Sequence, residues 1–258
     1  MPSSSARRAP APWKRGRGLT QLARISTLQG EYEQAHELLE QCLALYQALG
    51  DKERIGWVLY LQARMLFLSG RDTATASSLT EQSLTLLQEI NNPWVRAYSL
   101  VLLGQITLQQ DDQAQASDLF EEGRRAFKEA GDQAGMAETL IGLANAATMG
   151  GDFAAARGLY QESSLILQRI QYEELISPCL EGLAAVAAEQ GESVWAAHMW
   201  GAAEALREAI GTPIPPVYRL GHERAVAKVH AQVSNETFAK AWAEGRTMTP
   251  EQAMTRQS

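Results

Sequence analysis

Small and apolar positions recur along this chain with a period that no single helix or strand produces. The first small residues are Ala23, Ala63, Gly104, Ala144 and Ala184. Seven residues after each stands a turn residue: Gly30, Gly70, Asp111, Gly151 and Gly191. Five residues further comes a second small residue: Ala35, Thr75 (or Ala76), Ala116, Ala156 and Ala196. A leucine precedes every first small residue by four positions, at Leu19, Leu59, Leu100, Leu140 and Leu180. The unit returns every 40 or 41 residues. A fixed period of this length over most of a chain marks a repeat architecture in which each unit packs only on its neighbours.

Each unit divides at its turn residue into a helix A, carrying Leu-x-x-x-small, and a helix B that opens on an apolar wedge such as Tyr32, Phe153 or Trp195. The small residues let A and B cross closely, so bulk at Ala144 or Ala156 is expected to push a pair apart. The links back to the next A helix read Leu49-Gly50-Asp51, Ile90-Asn91-Asn92-Pro93, Ala130-Gly131-Asp132 and Ile170-Gln171-Tyr172. Gly or Asn there suits a left-handed cap, and the following Asp or Asn suits the next N-cap. Residues 1–12 lack periodicity and are expected to be a disordered basic leader. Five repeats then follow at about 13–50, 51–91, 92–131, 132–171 and 172–211. The breaker Thr212-Pro213-Ile214-Pro215-Pro216 ends the array. Residues 212–258 are expected to form a helical cap over the exposed end of the last repeat, with helices at about 217–233 and 235–244 and a last turn opened by Thr249-Pro250-Glu251.

Composition agrees with helix: the chain is 45% hydrophobic but only 7% aromatic. The net charge of −7 hides an asymmetry, because Arg7, Arg8, Lys14, Arg15 and Arg17 lie before residue 19 with no acid among them, leaving about −12 on the remainder. Such a body repels nucleic acid, and no direct nucleic-acid binding is expected. No apolar run is long enough for a membrane span or a signal peptide. Cys42 and Cys179 sit at apolar helical positions, as core residues of a reducing compartment, so the cytoplasm is the expected location.

The spacing small-(7)-Gly-(5)-Ala, with Leu39, Phe120, Tyr160 and Trp200 four residues after the alanines, resembles the tetratricopeptide repeat in its longer form. The resemblance covers roughly residues 13–211. It implies an all-α fold, a right-handed superhelix of about five helix-turn-helix repeats with C-terminal capping helices. More narrowly, Leu43 to Asp51, Trp200 to Ile210 with its Pro-rich link, and Ala241 to Arg246 look like the C-terminal repeats of large bacterial signal-transduction ATPases and LuxR-type transcription regulators. There the resemblance implies a sensor or partner-binding arm. A phosphate-cradling Gly-x-x-x-x-Gly-Lys-Ser/Thr motif is absent from this sequence.

Candidate chemistry is sparse. His36, His198, His222 and His230 include no i, i+4 pair, and acid pairs such as Asp111-Asp112 and Glu173-Glu174 diverge on a helix. No metal, no cofactor and no enzyme activity is expected. Binding has more support. In an array of this kind the A helices line the concave side, through positions one and four after the first small residue and three and six before it. These are Arg17, Thr20, Arg24 and Thr27; Trp57, Tyr60, Arg64 and Phe67; Tyr98, Val101, Gln105 and Leu108; Glu138, Ile141, Asn145 and Thr148. The expected groove for a protein or peptide partner is Arg24, Trp57, Tyr60, Arg64, Phe67, Tyr98, Gln105 and Asn145. Amides bond a peptide backbone, aromatics take its apolar side chains, and Arg24 with Arg64 grips a carboxylate, which points to an acidic or C-terminal peptide. The alternative is a domain that senses a small effector. The two differ in form: an open groove with a charged rim for a scaffold, a closed apolar pocket with a few polar groups for a sensor. Self-association through the first A helix stays open as an expectation.

Overall fold

The computed structural model describes residues 12–90 and 92–255. The expected leader falls outside these residues except for Pro12, which opens the first helix. Ten helices run as five successive pairs: α1 (Pro12–Leu28) with α2 (Tyr32–Leu49), α3 (Lys52–Ser69) with α4 (Thr73–Glu89), α5 (Pro93–Gln109) with α6 (Gln113–Ala130), α7 (Gln133–Met149) with α8 (Phe153–Ile170), and α9 (Ile176–Glu189) with α10 (Ser193–Ile210). A short 3₁₀ turn, Glu173–Leu175, precedes α9. Then come α11 (Pro216–His230), α12 (Asn235–Gly245) and α13 (Pro250–Met254). Among the described residues there is no strand.

Local chemistry accounts for the joints. Six consecutive helices, α3 to α8, start behind an Asp or Asn whose side chain accepts the backbone N–H three residues on: Asp51, Asp72, Asn92, Asp112, Asp132 and Asp152. The turns need a left-handed residue. Glycine supplies it at Gly30, Gly70, Gly151 and Gly191, and Asp111 adopts φ 64° where the register lacks a glycine. The small residues do what their spacing implies. Ala35, Ala76, Ala116, Ala156 and Ala196 are all fully buried, and Ala76, rather than the exposed Thr75, is the second small residue of its pair. At Gly104 an added Cβ would stand 2.7 Å from the Phe120 ring, so this small residue is the floor on which a large side chain of its partner helix rests.

The tail departs from the expected end cover. α12 and α13 do lie on the last pair, with Trp195 Nε1 donating to the Ala253 carbonyl at 2.9 Å. α11 instead returns across the concave side. Pro213 stands 3.4 Å from where a Cβ on Gly30 would be, and the Val217 backbone lies 3.5 Å from the same point on Gly70. Tyr218 meets Phe67 edge-on, with ring centroids 6.1 Å apart. The reason is anchoring: Arg207 donates to the Thr212 carbonyl at 3.3 Å, Pro215 is extended, and Pro216 opens α11 beside the second repeat. Residues of α1, the 171–174 link and residues 210–212 line one cleft, so the array curls far enough to bring its first and last pairs together.

Candidate ligand cavity on the concave face

The A helices α1, α3, α5, α7 and α9 carry the concave wall, and α11 roofs it. Between wall and roof lies a cavity of about 320 Å³. Its apolar lining includes Leu68, Ile141, Leu175, Pro178, Pro213 and Tyr218; its polar groups include Arg64, Gln105, Glu138, Asn145, Glu174, Glu181, Arg207 and Thr212. The Asn145 carbonyl oxygen accepts the Tyr160 hydroxyl, which leaves the amide NH₂ end for a ligand. Thr212 lines the cavity, and its hydroxyl is buried with no hydrogen-bond partner among the described residues.

Five of the expected groove residues gather around a smaller adjoining space of about 60 Å³: Arg24, Trp57, Tyr60, Arg64 and Tyr98, joined by Trp94, Glu138 and Tyr172. The rings pack on each other, Trp57 on Tyr60 at 5.0 Å and Trp94 on Tyr98 at 5.1 Å between centroids. Tyr98 Oη and Trp94 Nε1 both donate to the Asp132 carboxylate, at 2.9 and 2.6 Å, which pins them through the residue that caps α7. Arg64 Nη1 donates to Tyr60 Oη at 3.2 Å, and its Nη2 lies 3.8 Å from Glu138 Oε1. Burial pushes the Tyr60 phenol up to about 12 against the downward pull of Arg64, so it stays protonated at neutral pH.

Two sequence expectations change here. Phe67 is fully buried beneath Tyr218, so it supports α11 and offers nothing to a ligand. The two-arginine grip on a carboxylate does not stand free, because Glu138 faces Arg64 and Glu174 lines a small cleft with both Arg24 and Arg64. Gln105 and Asn145 face the larger cavity with Arg64, apart from the aromatic cluster. Sequence reasoning missed Glu174, Glu181, Arg207, Thr212 and His222. Only the Pro-rich link hinted at them, since nothing in the period says that the tail folds back.

At the far end of the cavity Arg207 holds Glu181 through two bonds of 2.6 and 2.7 Å. Beyond this pair and the 211–214 link is a second cavity of about 450 Å³ lined by Trp200, Trp242, His222, Glu204 and Glu208. The His222 ring meets Trp200 at 5.9 Å, and burial, aided by Arg207, lowers its pKa below the ordinary imidazole value despite Glu181, Glu223 and Glu204. The folded state therefore favours neutral His222. Its contribution is present above the unfolded pKa of about 6.5 and is lost as pH falls through that value toward the lower folded one. Thermal stability is expected to drop between pH 7.5 and 5.5 more steeply in the wild type than in His222→Gln; parallel melting curves would contradict this.

Among the described residues no three His, Cys, Asp or Glu side chains converge as metal ligands would. Both thiols are buried, and burial raises them, Cys179 to about 12, which makes them poor nucleophiles. No described helix is long and apolar enough to cross a membrane.

Residues 18–49 match the tetratricopeptide repeat family model. No curated protein matches the chain. Among solved structures it is similar to a Rap protein complexed with competence and sporulation factor, with a TM-score of 0.68 at 11% identity over 90% of this chain and 68% of that one. It is also similar to a Podosopora anserina putative kinesin light chain with nearly identical TPR-like repeats (TM-score 0.51, 19% identity, 78% of this chain and 98% of that one). A third is a signal-transduction ATPase with numerous domains and a tetratricopeptide repeat sensor from Pyrococcus horikoshii (TM-score 0.53, 12% identity, 87% of this chain). This chain spans 37% of that ATPase. At these identities the likeness establishes the fold: an α-helical array of tetratricopeptide type.

Proposed function

We propose that this tetratricopeptide-type array is the sensing arm of a regulatory protein, and that it holds a short peptide or peptide-like effector in the cavity beneath α11. The observation that carries this reading is the enclosure of polar groups by apolar walls: the Asn145 amide, Gln105 and the charged groups of Arg64, Arg207, Glu138, Glu174 and Glu181 share one space with Leu68, Ile141, Leu175 and Pro213. Apolar walls with a few placed polar groups are what a small-ligand site requires. With α11 in place the cavity suits a compact ligand better than a long extended strand. Its charges nearly balance, Arg64 and Arg207 against Glu138, Glu174 and Glu181, so a zwitterionic, amide-rich ligand is favoured over a strongly acidic one. The similar Rap protein was solved with competence and sporulation factor, and the repeats of the similar ATPase are described as a sensor, which supports a sensing role. In such an arm occupancy is relayed to a signalling or transcription-regulating output in the cytoplasm, through protein contacts and without catalysis.

Affinity selection from a mixed library of short peptides, read by mass spectrometry, tests this against Ala185→Trp, which fills the cavity without removing a polar group. The wild type is expected to retain peptides that the variant holds roughly tenfold more weakly or worse, a difference of about 1.4 kcal/mol. Equal retention by both proteins would sink the proposal.

A further inference from the structure

The outer face of α1 is shaped like a joint, yet nothing among the described residues closes it. Gly18, Leu22 and Ile25 form one stripe along the helix at i, i+4 and i+7, with Leu22 53% and Ile25 49% exposed. One repeat later the register of Leu22 is Gln62, which is buried and donates to Glu40 of the preceding α2 at 2.6 Å. The register of Gly18 recurs at Ser99, whose hydroxyl lies 3.0 Å from that of Ser83 on α4, and at Cys179, whose thiol donates to the Tyr160 carbonyl of α8 at 3.2 Å. Later A helices therefore dock on the helix before them through the positions that α1 leaves bare. Gly18 adds a second sign. A glycine inside a helix weakens it relative to alanine, and among the described residues nothing lies within 4 Å of the Cβ that Gly18 lacks, so no contact among them requires it.

We propose that this face pairs with a second copy of the same chain, α1 against α1, antiparallel about a two-fold axis beside Leu22. In that arrangement Gly18 receives the second copy's Ile25 and the reverse contact forms by symmetry, the self-complementarity an isologous interface needs. Charge selects the direction. α1 carries Lys14, Arg15, Arg17 and Arg24 and no acid, so a parallel pair sets like charges together. Antiparallel, the basic first turn of one copy reaches the far end of the other's stripe, where Ile25 and Gln29 border a cleft of about 370 Å³ that Tyr172, Glu173 and Glu174 also line. Each copy thus offers an apolar centre, a basic end and an acidic end. One helix pair buries about 1,000 Å² or less in total, at the low end for specific contacts, so the dimer is a reversible one.

Sedimentation equilibrium of the full chain from micromolar to sub-millimolar concentration reads the association. The mass is expected to climb from one chain toward two. Gly18→Leu should have opposite effects on two readouts, raising the melting temperature of the monomer through helix propensity while abolishing the dimer. Leu22→Cys should form a disulfide-linked dimer on mild oxidation, because a residue beside the axis meets its own copy at bridging distance while Cys42 and Cys179 are buried. A monomer at every concentration, a dimer that survives Gly18→Leu, or an uncrosslinked Leu22→Cys protein would each overturn the proposal.

Discussion

Gly201→Ala detaches the C-terminal helices from the array. α10 and α12 cross backbone to backbone through a reciprocal pair of glycines. A Cβ on Gly201 would stand 2.2 Å from the Trp242 carbonyl oxygen, and a Cβ on Gly245 would stand 2.1 Å from the His198 carbonyl oxygen. Neither obstacle is a side chain that can turn aside, so one helix must move by about an ångström for a single methyl group. That movement strains what holds α12 in place: Trp242 Nε1 on Glu204 at 2.7 Å, and Arg246 on Glu204 and Glu208 at 2.5 and 2.6 Å. Overpacking of this kind costs about 3 kcal/mol. In a chain of this size that lowers the melting temperature by roughly 6–12 °C, or splits off an earlier transition for the tail. Gly158→Ala is the control, because nothing lies within 4 Å of the Cβ it adds; it should be neutral or slightly stabilising. Calorimetry with limited proteolysis between 211 and 234 reads both. A Gly201→Ala protein that melts like the wild type would show that the helices do not cross this closely.

The second large effect is expected from Arg207→Ala. The Arg207 side chain is 11% exposed and that of Glu181 17%, and the fork geometry gives two parallel bonds while a third nitrogen holds the Thr212 carbonyl. Removing the guanidinium leaves the Glu181 carboxylate unpaired in the cavity wall and unties the link that carries α11 back over the groove. Losing one partner of a buried pair costs about 3–5 kcal/mol, and partial exposure here brings the expectation to about 2–4 kcal/mol. Urea denaturation should show Arg207→Lys in between, since lysine keeps the charge and loses the fork. Arg207→Ala/Glu181→Ala should regain at least about 1 kcal/mol over the single variant, because the orphaned charge is gone. A single variant within about 0.5 kcal/mol of the wild type would mean that the pair contributes nothing beyond an ordinary surface contact.

The chain's own residues announced the array because its signals are local. A left-handed turn, an Asp or Asn cap and a small residue at a helix crossing each act within one repeat, and 40-residue self-similarity states them five times over. The same logic placed Arg64, Gln105 and Asn145 on the concave wall, since facing is a matter of helical register. It failed at Phe67, whose register points inward although Tyr218, far along the chain, sits over it. It also failed at Arg24 and Arg64: Glu138, which faces Arg64, comes from two repeats further on, and Glu174, which shares their cleft, comes from the last repeat.

By itself, then, the sequence determined an all-helical repeat array, its joints, its caps and the face its A helices present. Only the tertiary structure decided that α11 roofs the groove, that the charges inside are balanced, and that Gly245 serves a close crossing with Gly201 and not merely the end of a helix. Periodicity encodes contacts between neighbouring repeats. How far the array curls, and where a non-repeating tail finds surface to bury, depend on the accumulated angle between units and on long-range shape, which no single repeat contains.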